Sequence, residues 1–155
     1  MDIVLGYVDT PHGQRALDEA TAQARAHGAR LHVVVCDTTS VGEHASQARD
    51  REEGVAAAAE RLDELVARLV DDGLDARGEV VRDDRDSAGA ALVDYATRAE
   101  ADLIVVGVRK RSRVGKLLLG SNLQDVILAA PCSVLAAKPA DPASGGTVGG
   151  EEPSA

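Results

Sequence analysis

Apolar residues along this chain come in two rhythms, short unbroken runs and stripes at helical spacing, and the two alternate. Residues 3–8, Ile-Val-Leu-Gly-Tyr-Val, are an apolar run without polar alternation, the pattern of a strand covered on both faces, and Asp9-Thr10-Pro11 ends it. Over 13–27, Ala16, Leu17, Ala20 and Ala24 recur at helical spacing until Gly28, a natural left-handed terminator. A second buried strand follows over 31–36, then a polar loop through Asp37, Thr38, Thr39 and Ser40 to about Gln47. The stripe Val55, Ala58, Leu62, Leu65, Val66 and Leu69, with charges on the opposite face, predicts a helix over roughly 49–72. Residues 74–82 alternate more strongly, which places this strand nearer a sheet edge, and Asp86 or Ser87 can cap a third helix reaching residue 99. Residues 102–106 are the fourth strand, 121–129 a last helix that Pro131 breaks, and 133–137 a fifth strand.

Strand and helix repeated four times with a closing strand predict an α/β fold, an open and mostly parallel sheet with helices on both faces. One domain over 1–138 accounts for all of these elements. From Pro139 to Ala155 the chain is rich in Pro, Gly and Ser and too poor in apolar residues to fold, so 139–155 reads as a disordered tail. Ligands of such sheets bind beyond the carboxyl ends of the strands, at the topological switch point. Asp9-Thr10 and residues 107–121 both fall at strand ends of this kind, and they converge on one crevice if strands one and four are neighbours.

Composition narrows the function. Of 155 residues, 45% are hydrophobic but only 1% aromatic, with Tyr7 and Tyr95 as the two aromatics and a formal net charge of −9. An acidic chain without stacking side chains is a poor general nucleic-acid binder. The absence of a long apolar stretch argues against a membrane protein, and the start at Met1, without a basic leader, leads us to expect a cytoplasmic one. Cys36 and Cys132 lack metal-ligand or dithiol spacing and read as buried free thiols. His12, His27, His32 and His44 have no regular ligand spacing, and His32 and Tyr95 read as core residues. Asp83, Asp84 and Asp86 form a solvated turn, Asp94 and Asp102 are surface or capping residues, and no nucleophile–base arrangement or paired carboxylate marks a dedicated enzyme.

Against this acidic background, five of the eight residues from Arg109 to Lys116 are basic and none is acidic, leaving 12 basic residues against 26 acidic ones elsewhere. Such local concentration of positive charge favours an anionic ligand. Gly107 ends a buried strand where a missing Cβ lets a ligand reach the backbone, Gly120 can do the same, and Ser121 stands at the expected N-cap of the last helix, where unpaired N–H groups attract phosphate. A Walker-type loop is excluded, because Lys110 and Leu117 stand where it needs glycine and a hydroxyl. A dinucleotide fingerprint is also absent after strand one.

Gly107, then Gly120-Ser121 thirteen residues on, then Pro131-Cys132-Ser133-Val134-Leu135, together with Val8-Asp9 leading into Arg15-Ala16-Leu17, resembles the universal stress protein family over residues 1 to about 138. The resemblance implies five parallel strands in order 3-2-1-4-5, a homodimer through strand 133–137, and a role as a sensor or regulator in stress physiology with at most slow ATP hydrolysis. It also implies an adenine-nucleotide ligand, ATP or else AMP or ADP, with magnesium accompanying it. Carried over, Asp9 and Thr10 lie beside ribose and phosphate, Cys36 meets adenine through its backbone, and Gly107, Arg109, Gly120, Ser121 and Asn122 surround the phosphates. Arg111, Arg113 and Lys116 tune the field. Lys110 replaces the motif's second glycine, and it either blocks the close backbone approach or places an ammonium on a phosphate. The alternative function is a nucleotide-free dimeric module that docks an acidic partner surface through the basic loop. An adenosine-nucleotide hydrolase would need catalytic residues that the sequence does not display.

Overall fold

The computed structural model describes residues 1–37, 45–82, 87–109 and 120–139. The chain runs β1 (Asp2–Gly6), α1 (Pro11–His27), β2 (Arg30–Asp37), α2 (Ala45–Asp71), β3 (Ala76–Arg82), α3 (Ala88–Arg98), β4 (Leu103–Gly107), α4 (Ser121–Ala129) and β5 (Ser133–Ala137). All neighbouring strands pair in parallel, in the order β3-β2-β1-β4-β5, so the expected sheet and its expected order are both present.

Strand parity sorts the core into two layers. On one face Ile3, Leu5, Leu31 and Val33 pack with Leu17, Ala20 and Ala24 of α1 and Leu62, Leu65 and Leu69 of α2. On the other Val4, Val34, Ile104 and Val106 pack with Leu92, Val93 and Tyr95 of α3 and Val126 of α4. Burial of each such branched side chain stabilises by about 1.5–3 kcal/mol, which explains why a core almost without aromatics suffices.

Element ends follow local chemistry. β1 ends at Gly6 rather than Val8, because the chain turns there and the Thr10 N–H bonds the Val8 carbonyl at 2.9 Å. α1 begins at Pro11, two residues before the expected residue 13: Thr10 caps it by accepting from the Gly13 N–H, and proline suits a first helical position that needs no donor. Gly28, at φ 57°, closes the helix with its N–H on the Ala24 carbonyl. α2 starts at Ala45, ahead of the expected residue 49. Ser87, not Asp86, caps α3 by accepting from the Ala90 N–H at 3.1 Å. β3 is an edge strand, as its alternation predicts. Among the described residues no helix is long and apolar enough to cross a membrane.

Candidate functional site

β1 and β4 are adjacent, and β2 and β5 flank them, so the turns that follow β1 and β4 open at the carboxyl edge where strand order reverses. A cavity of about 270 Å³ lies there. Its interior is apolar, from Val34, Val106, Leu92, Leu123 and Val126, and its polar lining is His12, Cys36, Arg109, Gly120 and Asn122. In a chain with 26 acidic residues, none of the described residues lining this cavity is acidic.

Three helices start at this cavity: His12 in the first turn of α1, Ala88 and Gly89 at the head of α3, and Gly120 and Asn122 at the head of α4. Their dipoles direct partial positive charge toward it. The ends differ in how their donors are satisfied. Thr10 and Ser87 cap α1 and α3 with their side chains, whereas the N-cap of α4 is Gly120, which makes no side-chain bond. The Gly120 carbonyl takes the N–H groups of Leu123 and Gln124, each at 3.1 Å, and those of Ser121 and Asn122 have no partner among the described residues. A helix end of this kind, beside an apolar pocket with no acidic residue among its described lining, suits a ligand with an anionic and an apolar part.

The two glycines of the sequence motif differ in purpose. A Cβ at Gly107 would run into the carbonyl of His12, so this glycine admits the first turn of α1 against the end of β4, at the wall of the cavity. A Cβ at Gly120 would meet nothing within 4 Å, and its φ of −61° is open to any residue, so glycine here leaves space at the uncapped helix end. The Val108 N–H bonds the Ala137 carbonyl at 2.9 Å and fixes the chain just before Arg109 to β5.

Cys36, Gly107, Arg109, Gly120 and Asn122 therefore line one cavity. The remaining candidates are placed differently. Ser121 is the first residue of α4 and not its cap, which Gly120 provides. Thr10 is engaged by the α1 cap and by His12. Asp9 lines a second cavity of about 370 Å³, on the α2 side, with Arg61, Glu64 and Arg68; Tyr7, Val8 and Cys36 are shared by both. That second cavity is larger, but its mixed charges give no preference for an anion. Burial, with Asp9 nearby, pushes the Tyr7 hydroxyl above its ordinary range. Lys110, Arg111, Arg113 and Lys116, like Asp83, Asp84, Asp86, His44 and the chain from residue 140, lie outside the described residues. Neither Cys36 nor Cys132 is in a disulfide, and both are half-buried rather than buried. Among the described residues no group of three or more His, Cys, Asp or Glu is placed to hold a metal ion.

His12 is the lining residue that the sequence pattern passed over. Its signal was topological: in a parallel sheet every turn from strand to helix opens at the same edge, so the first turn of α1 had to border whatever follows β4.

A family model described as the universal stress protein family matches residues 1–138. A universal stress protein of Thermus aquaticus is 36% identical over 137 residues, covering 86% of this chain and 95% of its own. Among solved structures, a universal stress protein from Archaeoglobus fulgidus is 29% identical with a TM-score of 0.64, covering 87% of this chain and 96% of its own. A universal stress protein crystallised in complex with cAMP is 27% identical with a TM-score of 0.66, covering 88% of this chain and 95% of its own.

Proposed function

The chain belongs to the universal stress protein family, and we propose that it serves as a cytoplasmic stress sensor or regulator that binds an adenine nucleotide. The observation that carries this reading is the head of α4, capped by Gly120 without a side-chain bond, opening on a largely apolar cavity at the β1/β4 switch point whose described lining holds no acidic residue. The cAMP complex of a relative points the same way. The N–H groups of Ser121 and Asn122 would hold phosphate oxygens, with Arg109 adding charge, while Val34, Leu92, Val106 and Val126 would cover the base near Cys36. Asp9 and Thr10 would stand on the outer side of the ribose. With no carboxylate among the described lining residues, magnesium would be held through the phosphates of ATP.

ATP at a hundred times its dissociation constant should stabilise the protein by about 2.7 kcal/mol. Gly120→Val with Ser121→Ala should abolish that gain in a thermal-shift titration, and an unchanged shift would overturn the reading. The same reading includes a homodimer through β5, an edge strand beside an α4 that leaves Leu128 85% and Ile127 47% exposed. Light scattering that finds only monomer would remove the dimer. The alternative of a nucleotide-free docking module predicts no calorimetric heat with ATP, ADP or AMP at millimolar concentration in an intact dimer.

A further inference from the structure

His12 is half-buried in the cavity wall, and its surroundings fix both its place and its chemistry. Its carbonyl lies against Gly107 where a Cβ would stand, so the residue is held next to the end of β4. Thr10 Oγ1 is 3.0 Å from His12 Nδ1 and 3.2 Å from Nε2, close enough to bond either. That hydroxyl already accepts from the Gly13 N–H at 3.2 Å, and its single proton can serve only one ring nitrogen. When the hydroxyl donates to one ring nitrogen, the other carries the N–H of the neutral imidazole; with its second lone pair the hydroxyl can instead accept that N–H. Thr10 is the one side chain among the described residues within bonding distance of the ring, so its hydroxyl can hold one nitrogen and leave the other for a ligand. In the tautomer whose N–H faces away from Thr10, the ring is a donor in the wall of a cavity with no acidic residue among its described lining, in the same helix turn whose dipole favours anions.

We propose that His12 contacts a phosphate group of the nucleotide and makes the site selective for phosphorylated adenosine over adenosine itself. This rests on the nucleotide-binding reading above and extends it to a residue on a different helix from the α4 end. Phosphate is the fitting partner because its oxygens only accept. His12 also sits beside the turn that carries Arg109, while the apolar lining suited to a base comes from the strands and from α3 and α4.

The test is calorimetry on the full chain with adenosine, AMP and ATP, comparing the unmodified protein with His12→Ala and His12→Gln. Loss of a hydrogen bond to a charged group should weaken AMP and ATP by about tenfold in the alanine variant and leave adenosine within about twofold. Glutamine, which keeps an N–H donor, should recover part of the loss. Equal losses for adenosine and ATP, or no loss at all, would overturn the proposal while leaving the nucleotide site standing. Failure of the unmodified protein to bind AMP or ATP would instead overturn the nucleotide reading and this proposal with it. Melting of each variant without ligand checks its fold, and if alanine folds poorly His12→Leu takes its place in the same series.

Discussion

The two edges of the sheet use their polar groups in opposite ways. At the amino edge, His32 of β2 is 0% exposed and surrounded by bonds. Its Nε2 donates to Asp2 Oδ1 at 2.8 Å. Arg77 Nε donates to its Nδ1 at 3.2 Å, and the Tyr95 hydroxyl approaches the same nitrogen at 3.2 Å. A guanidinium can only donate, so Nδ1 must accept and the proton belongs on Nε2. His32 is thus a neutral hinge of hydrogen bonds between β1, β2, β3 and α3, and not half of an ion pair. Nearby the Asp2 N–H bonds Asp102 at 2.8 Å and Arg30 bonds Asp75 at 2.9 Å. At the carboxyl edge, the Ser121 and Asn122 N–H groups at the head of α4 have no partner among the described residues, and a cavity opens beside them. One edge satisfies itself and holds the strands together, whereas the other is left incomplete in the manner of a binding site.

The contrast is most strongly tested by His32→Ala. It would leave Asp2, Arg77 and the Tyr95 hydroxyl without their shared partner and should cost about 3 kcal/mol in urea unfolding. Nucleotide affinity of the folded variant should stay within about twofold; a large loss of affinity would show that the edges are not independent. Next in size is Gly107→Ala, whose methyl meets the His12 carbonyl; it should cost about 1–3 kcal/mol and weaken nucleotide as well.

A graded loss in acid follows from the same network. Burial above all holds His32 below the ordinary imidazole value of 6.5, with Arg77 acting in the same direction and Asp2 against it. The His32 hydrogen bond, more than any other influence, holds Asp2 below the ordinary 3.8. In both cases the unfolded chain takes up the proton first. Stability should therefore be full above about pH 6.5, decline below it as unfolded imidazole protonates, and decline again below about 3.8 as unfolded Asp2 does. Arg30 also bears on both groups, and Glu79 and Arg98 on the adjoining Tyr95. Urea titrations between pH 7.5 and 5 should show a shallower decline in His32→Gln. The smallest expected effect on stability is Gly120→Ala, within about 0.5 kcal/mol because the added methyl meets nothing, although nucleotide affinity should fall.

Much of the fold was legible because its strands are unbroken apolar runs and its helices carry stripes. Residues 133–137 were read as the fifth strand at the bounds β5 has, and Ser87 was one of the two caps considered for α3. The candidate site was legible in composition and less so in orientation. Ile3 and Leu5 of β1, and Tyr7 just after it, belong to the face covered by α1 and α2, and Asp9 lines the cavity on that α2 side, past the strand's end where its alternation no longer tells which way a side chain faces. The role of Gly107 was hidden because its neighbour, His12, is 95 positions away in the chain, and local sequence does not say which backbone crosses a glycine.

The placement of β1 also has a consequence in time. It pairs with Leu31 on one side and Leu103 on the other through the same residue, Ile3, so it is made before either neighbour. At roughly 5–20 residues per second of synthesis, several seconds separate the emergence of β2 from that of β4. Throughout that interval the growing chain presents an unpaired inner edge of Ile3, Val4 and Leu5, a window in which a chaperone or a second nascent chain competes for the middle of the sheet.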